Sequence, residues 1–333
     1  MNVSPPPTSC SGLLGPALTP VGAVETFAYD LGGNLSRHVD RKGQVTTYTY
    51  DALNRRTSGL YADGSITNFV YDAASRLVAA IDSLGGATEN SYDVLDRLNT
   101  QSTALGTMAY QYDALGRRTA MTAAGQAPVT YAYDASSRLR TIRQAPLSPV
   151  ALEYDAAGRR TRLTLPNGVS TDYEYDASAR LTALTYHNPL GPLGDLAYTY
   201  DRGGNRIRVG GTYSRTLLPG VIDTATYDAA NRQLTFGALS LTYDANGNLI
   251  SDGTTTYSWD ARNRPISALT APASASFVYD GLGRRTSKTI NGGRTDFLYD
   301  GADIALELTG KTVTPYLRTM NIDEALVRGG NAV

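Results

Sequence analysis

The dipeptide Tyr-Asp recurs along this chain with a regularity that constrains its architecture more than any other property. It occurs at Tyr29-Asp30, Tyr50-Asp51, Tyr71-Asp72, Tyr92-Asp93, Tyr112-Asp113, Tyr133-Asp134, Tyr154-Asp155 and Tyr175-Asp176. It returns at Tyr200-Asp201, Tyr227-Asp228, Tyr243-Asp244, Tyr279-Asp280 and Tyr299-Asp300, and Trp259-Asp260 is a fourteenth copy with a different ring. The first eight copies lie 20 or 21 residues apart; later spacings run from 16 to 27. A period of this size marks one supersecondary unit copied many times.

Each copy has the same internal grammar. Two residues before the Tyr stands another ring in ten copies: Phe27, Tyr48, Phe69, Tyr110, Tyr131, Tyr173, Tyr198, Tyr257, Phe277 and Phe297. Leu152 and Leu241 replace it in two more, and Asn90 and Ala225 are the exceptions. A spacing of two puts both side chains on one face of a β-strand, whereas a helix would set them about 200° apart. Three residues after the Asp comes Gly, Asn or Asp in eleven copies, the types that best accept a left-handed backbone. Ser75, Ser137 and Ala179 break that rule.

The segment Asp113-Ala114-Leu115-Gly116-Arg117 therefore reads as a type I turn closed by a bulge at Gly116. The Asp carboxylate is placed to accept backbone N–H groups of that turn. Four residues after the Asp stands Arg in ten copies, expected to lie over a ring across the hairpin or to pair with the Asp. A second strand follows, as in Leu77-Val78-Ala79-Ala80-Ile81, and ends in a glycine turn such as Asp63-Gly64, Asn167-Gly168 or Asn291-Gly292.

Two strands and two turns per copy give an all-β chain, a long antiparallel meander of roughly 28 strands. A lone hairpin is barely stable in water, so stability is expected from neighbours sharing their aromatic face. Strands twist and bulges add curvature, so the meander is expected to coil into a spiral, a hollow β-barrel or shell wall too wide for side chains to fill. The 23 Tyr against five Phe and one Trp suggest half-buried rings with hydroxyls in water.

The units Tyr112–Thr119 (YDALGRRT), Tyr279–Thr286 (YDGLGRRT) and Leu241–Leu249 (LTYDANGNL) resemble the Rhs/YD-repeat family over about residues 25 to 328. The resemblance implies strands coiled into a hollow shell. Bacterial members wrap a toxin domain inside it, and related animal proteins use it in adhesion. Members usually continue into a plug with an Asp-Pro-x-Gly segment linked to self-cleavage and then a variable effector. No Asp-Pro dipeptide occurs in this chain, so plug, cleavage and toxin are not expected in it. Phe297-Leu298-Tyr299-Asp300 and Ile322-Asp323-Glu324-Ala325-Leu326-Val327-Arg328 look like the final stretch of the repeat region.

Three regions are expected: a flexible Pro/Gly/Ser-rich leader over 1–24, the repeat shell over 25–310, and final strands with a truncated end over 311–333. The leader lacks a basic start and an apolar stretch and does not read as a signal peptide. No apolar run approaches the roughly 20 residues that span a bilayer. A net charge of −1 gives no global field for nucleic acid or an anionic membrane. The single Cys10 excludes an internal disulfide framework and leaves the redox compartment open.

No catalytic, cofactor-binding or metal-binding residue stands out. The repeating aspartates are better turn residues than catalytic pairs. His38 and His187, the two histidines, fall in no metal or triad pattern and are expected to be structural or exposed. Gly32-Gly33 and Gly203-Gly204 fall in repeat turns and are not phosphate loops. Interleaved Arg and Tyr suit cross-strand packing better than nucleic-acid stacking. The insertion Pro189–Gly194 (PLGPLG) reads as a loop. The expected function is a non-enzymatic shell segment of a bacterial Rhs-type toxin or wall-associated protein, secreted or at the cell surface, enclosing or presenting an effector. The alternative is an adhesion module binding glycans or a partner protein. Exposed strand edges point to an adjoining shell segment or other partner, or to missing flanking sequence.

Overall fold

The computed structural model describes residues 17–18, 24–215, 224–321 and 324–332. The expected leader falls almost wholly outside them, as do Cys10 and Ile322-Asp323. All regular structure among the described residues is β: thirty-three strands, more than the two-per-copy count, because Ala17–Leu18 precedes the first copy, Leu239–Ser240 lies between two copies and three strands follow the last one. The pairing is antiparallel between sequence neighbours wherever its register is defined. The chain divides into two compact units, each assembled from separate stretches.

The first unit comprises Met1–Ser91, Ser102–Ala104 and Gly220–Asp296. Its strands Val24–Tyr29, Leu35–Val39, Val45–Tyr50, Arg56–Leu60, Ile66–Tyr71 and Leu77–Asp82 pair in order. A later run, from Thr242–Tyr243 to Arg285–Ile290, pairs the same way. The two runs approach each other closely. A Cβ on Gly85 would stand 1.9 Å from the Tyr279 carbonyl oxygen, and one on Gly281 would stand 3.0 Å from the Thr67 methyl. Any larger side chain at Gly85 would push the backbones apart.

The second unit comprises Tyr92–Gln101, Leu105–Pro219 and Phe297–Val333. Strands Gly106–Tyr112, Arg118–Ala123, Val129–Tyr133, Leu139–Gln144, Val150–Tyr154 and Arg160–Thr164 form its repeat sheet, which continues through Ser170–Tyr175, Leu181–Asn188 and Gly191–Tyr200 to Arg206–Gly210. The last hairpins, Asp303–Thr309, Thr312–Arg318 and Ala325–Arg328, leave the repeat grammar and are markedly apolar on one side. They join the inner residues of the repeat strands in one core: Met108, Tyr110, Ile142, Val150 and Leu152 with Leu298, Leu306, Leu317, Leu326 and Val327. Within this unit the ring-bearing face of the repeat sheet is covered by side chains, because the chain's own end supplies an apolar layer.

The register explains which residues share that face. Tyr110 pairs with Met121, but Tyr112 pairs with Arg118, so one extra residue is absorbed beside each repeat turn. The same shift separates Tyr48↔Gly59 from Tyr50↔Arg56 and Leu152↔Leu163 from Tyr154↔Arg160. This bulge restores the residue five after the Asp to the ring-bearing face.

Candidate functional site

The repeat cassette is the chain's most developed polar arrangement. In the copy at Asp113, the Gly116 N–H donates to the Asp113 carbonyl and the Asp113 N–H to the Arg117 carbonyl, closing the turn with a bulge at Gly116. Oδ1 of Asp113 accepts the N–H groups of Leu115 and Arg117, at 3.0 and 2.9 Å. The third residue after the Asp has positive φ in thirteen of the fourteen copies: Gly33, Asn54, Ser75, Asp96, Gly116, Ser137, Gly158, Ala179, Gly204, Asn231, Gly247, Asn263 and Gly283. Ser75, Ser137 and Ala179, exceptions in residue type, are thus no exceptions in conformation (φ 65°, 61° and 60°). The turn's hydrogen bonds hold them there against an unfavourable Cβ.

Arginines four residues after the Asp return Nε to Oδ2 of that Asp at 2.6 to 2.8 Å. Their guanidinium groups also lie over a ring, but not the one across their own hairpin. Arg55 covers Tyr71 at 4.7 Å, Arg117 covers Tyr133 at 4.7 Å and Arg159 covers Tyr175 at 4.8 Å: each covers the Tyr of the following copy. Arg55, Arg138 and Arg159 further donate to the following Asp's carbonyl. One side chain thereby ties two copies together. Backbone N–H donation from the arginine is the leading cause that holds the Asp51, Asp72, Asp134, Asp155, Asp176 and Asp228 carboxyls below the ordinary aspartate range, with the guanidinium adding to it. Where Asn replaces the Arg, at Asn34, Asn205 and Asn248, its amide makes the same contact to the Asp.

Apart from the exposed Tyr29 and Tyr227, most repeat tyrosines do not leave their hydroxyls in water. Tyr50 donates to the Leu35 carbonyl, Tyr112 to Leu98, Tyr133 to Arg118, Tyr154 to Leu139, Tyr175 to Arg160 and Tyr279 to Pro265, at 2.7 to 2.9 Å. In each case the acceptor is the residue five after the preceding Asp. Trp259 fits because its Nε1–H reaches the Leu249 carbonyl at 2.8 Å. A Phe could fill the space but not donate, which explains why this position is Tyr or Trp.

Tyr299-Asp300 departs from the cassette. The turn after Asp300 is only Gly301-Ala302, with Gly301 at φ 62°, and Asp300 ends a strand. Its carboxylate accepts from Tyr110 Oη at 3.0 Å and Arg118 Nη1 at 2.5 Å. Arg118 lies 4.8 Å over Tyr110 and 5.9 Å from Tyr131. Burial pushes the Tyr110 hydroxyl up, with Asp300 adding to it, and pushes Tyr131 up to about 12. A second contact of this kind joins Arg160 to Glu324, whose carboxylate also accepts from Thr319 and Asn321. Burial favours the neutral Glu324, yet these donors hold its carboxyl below the usual range.

The first unit has its own buried pair. Arg262 Nη1 lies 2.5 Å from Asp82, whose side chain is 0% exposed, and also donates to Thr67 at 3.0 Å. Asp82 further accepts the N–H groups of Leu84 and Gly85, and Arg262 stacks 4.2 Å from the Tyr61 ring. The carboxylates of Asp82, Asp300 and Glu324 each accept hydrogen bonds at both oxygens.

His38 stacks on Phe27 at 4.8 Å and its Nε2 lies 2.6 Å from Glu25, while His187 Nε2 lies 3.1 Å from Asp172; both serve pairs on strands. Gly33 and Gly204 sit in the repeat turns. The Pro189–Gly194 stretch (PLGPLG) is largely strand, Gly191–Tyr200 pairing with Leu181–Asn188, so the insertion lengthens a hairpin and only its tip is loop. No cluster of three His, Cys, Asp or Glu able to hold a metal occurs among the described residues. No helix in them is long and apolar enough to cross a membrane.

Fold and cassette together define a hairpin-repeat protein whose recurring polar groups are structural staples. The teneurin YD-shell family model matches residues 70–189 and 168–309, more than half of the chain, and the RHS repeat model matches residues 29–66. The chain belongs to the YD-shell family. The solved structure described as TcdB2-TccC3-TEV is similar to it at 16% identity and a TM-score of 0.65, over 91% of this chain and 21% of that one. TcdB2-TccC3 without its hypervariable C-terminal region gives the same identity, score and coverage of this chain, over 22% of that one. The Photorhabdus luminescens Tc holotoxin pore is similar at 15% identity with a TM-score of 0.53, over 93% of this chain and 24% of that one. These likenesses show the fold, and this chain spans about a fifth to a quarter of those chains' length. No curated protein sequence matches.

Proposed function

We propose that this chain is a non-enzymatic shell segment of an Rhs-type toxin, secreted or displayed at a bacterial surface, whose ring-bearing face holds a polypeptide effector. The observation that carries this reading is the fate of that face in the second unit. There the sheet holds polypeptide: the chain's own last hairpins lie on Met108, Tyr110, Ile142 and Leu152, anchored by Arg118–Asp300 and Arg160–Glu324. A face that accepts one polypeptide layer by apolar burial and arginine–carboxylate pairing has the chemistry to accept another. Membership of the YD-shell family and the likeness to toxin-complex structures support the same assignment.

The test is limited proteolysis of a reporter domain fused after Val333. Slower digestion of the reporter in the fusion than of the free reporter is the expected result. Equal digestion rates would remove the encapsulation reading.

A further inference from the structure

In two places an arginine five residues after a repeat Asp holds the carboxylate of a distant strand or loop. Arg118 takes Asp300 and Arg160 takes Glu324, partners separated from them by 182 and 164 residues. At Arg118 the grip has two points: the guanidinium takes one carboxylate oxygen, and the hydroxyl of Tyr110, eight residues earlier, takes the other. Two rings set the guanidinium's position, Tyr110 at 4.8 Å and Tyr131, thirteen residues later, at 5.9 Å.

The same constellation recurs in the first unit. Arg56 follows Asp51 by five. The ring eight residues earlier is Tyr48, 5.4 Å from the guanidinium, and the ring thirteen residues later is Phe69, 4.7 Å away. The same bulge places them: Tyr48 pairs with Gly59 and Tyr50 with Arg56, as Tyr110 pairs with Met121 and Tyr112 with Arg118. Tyr48 and Arg56 are both half-buried. Unlike Arg118, Arg56 has no carboxylate within ion-pair distance among the described residues, and the Tyr48 hydroxyl has no hydrogen-bond partner among them.

We infer that Tyr48 and Arg56 form a two-point binding site for the side-chain carboxylate of an Asp or Glu on an extended polypeptide segment, equivalent to the grip that Tyr110 and Arg118 exert on Asp300. Two arguments select this ligand. A guanidinium held over flanking rings presents fixed N–H donors, a geometry suited to a carboxylate. The two equivalents that the chain itself satisfies both take side-chain carboxylates borne on an extended strand or the loop leading into one. A phosphate would also suit an arginine, and the test sets it against the carboxylate. The inference concerns one anchor point and stands whether or not the bound segment is an enclosed effector.

The probe is a peptide of residues 297–302, acetylated and amidated, whose single carboxylate is Asp300. It is titrated by calorimetry into the full chain, with an Asp300→Asn peptide and inorganic phosphate as controls. Saturable binding of the acidic peptide is expected, weakened at least about tenfold by Tyr48→Phe and by Arg56→Gln, with the Asn peptide weaker by a similar factor. Tyr48→Phe removes one oxygen and retains the ring, so it reports even if Arg56→Gln misfolds. Absence of saturable binding, equal affinity in the Tyr48→Phe protein, equal affinity of the Asn peptide, or phosphate binding that displaces the peptide from this site with higher affinity would each overturn the assignment. Protection of a fused reporter is unaffected by these variants' loss of one anchor, so failure here leaves the shell reading to be judged by its own assay.

Discussion

At the scale of single residues, the turn decides conformation and the side chain follows. Ala179 sits at φ 60° and has nothing in its side chain to offset the strain, whereas Ser75 and Ser137 accept hydrogen bonds from Arg55 and Arg117. Ala179→Gly is expected to stabilise the chain by about 0.5–1 kcal/mol, read as a higher urea midpoint. Ser137→Gly is expected to gain less, since it loses the bond from Arg117. The repeat ring is a donor as well as an apolar body. Tyr133→Phe frees the Arg118 carbonyl and is expected to cost about 1 kcal/mol. Trp259→Phe is expected to cost more than Trp259→Tyr in the same denaturation series, because only the latter keeps a donor. An equal loss in both would show that the Leu249 hydrogen bond contributes nothing.

At the scale of the hairpin, each arginine belongs to two units, to its own Asp and to the next copy's Tyr. Stability is therefore shared between neighbours, as in other repeat arrays. Asp155→Asn keeps an acceptor for the turn N–H groups and loses the charge; Asp155→Ala loses both. The unfolding midpoint is expected to fall in the order wild type, Asn, Ala. Protonation acts on all such turns together. The folded-state carboxyls lie below the ordinary aspartate value of about 3.9, so their stabilisation is complete above that value. It is lost as pH falls through the lowered folded values, where the unfolded chain binds more protons than the folded one. Thermal unfolding followed by circular dichroism should thus show a flat melting temperature near neutrality and a decline only in acid below about pH 4. A melting temperature that already falls between neutrality and about pH 5 would show that the turn carboxyls do not govern the dependence.

At the scale of the whole molecule, what distinguishes this chain from a bare run of hairpins is the long-range contact within each unit. In the second unit the Asp300 carboxylate replaces a turn contact with a tether across 182 residues. Asp300→Ala leaves Arg118 half-buried without its partner and is expected to cost roughly 2 kcal/mol in urea unfolding. Leu317, 1% exposed, is expected to cost about 2–5 kcal/mol as Ala and to raise binding of an apolar dye, because the core it belongs to includes Met108 and Ile142 of the repeat sheet. In the first unit Arg262 does comparable work, joining Ser65, Thr67 and Asp82 by polar contacts while stacking over Tyr61.

The sequence by itself determined everything that depends on neighbours in the chain: strand faces, turn type, the bulge at the third residue and the Asp–Arg pair. Those contacts span four residues, so the turn geometry brings their partners together without reference to the rest of the fold. It did not show that the tyrosine hydroxyls serve the preceding copy, since that needs the offset between stacked hairpins. Nor did it show that Tyr299-Asp300 closes only a two-residue turn in place of the cassette, although Ile304 stands where ten other copies carry Arg. Arg56, Arg118 and Arg160 are alike in sequence position and differ in what meets them. Only tertiary packing decided that, because a carboxylate more than 160 residues away is placed by the burial of an entire apolar layer and not by the local pattern around the arginine.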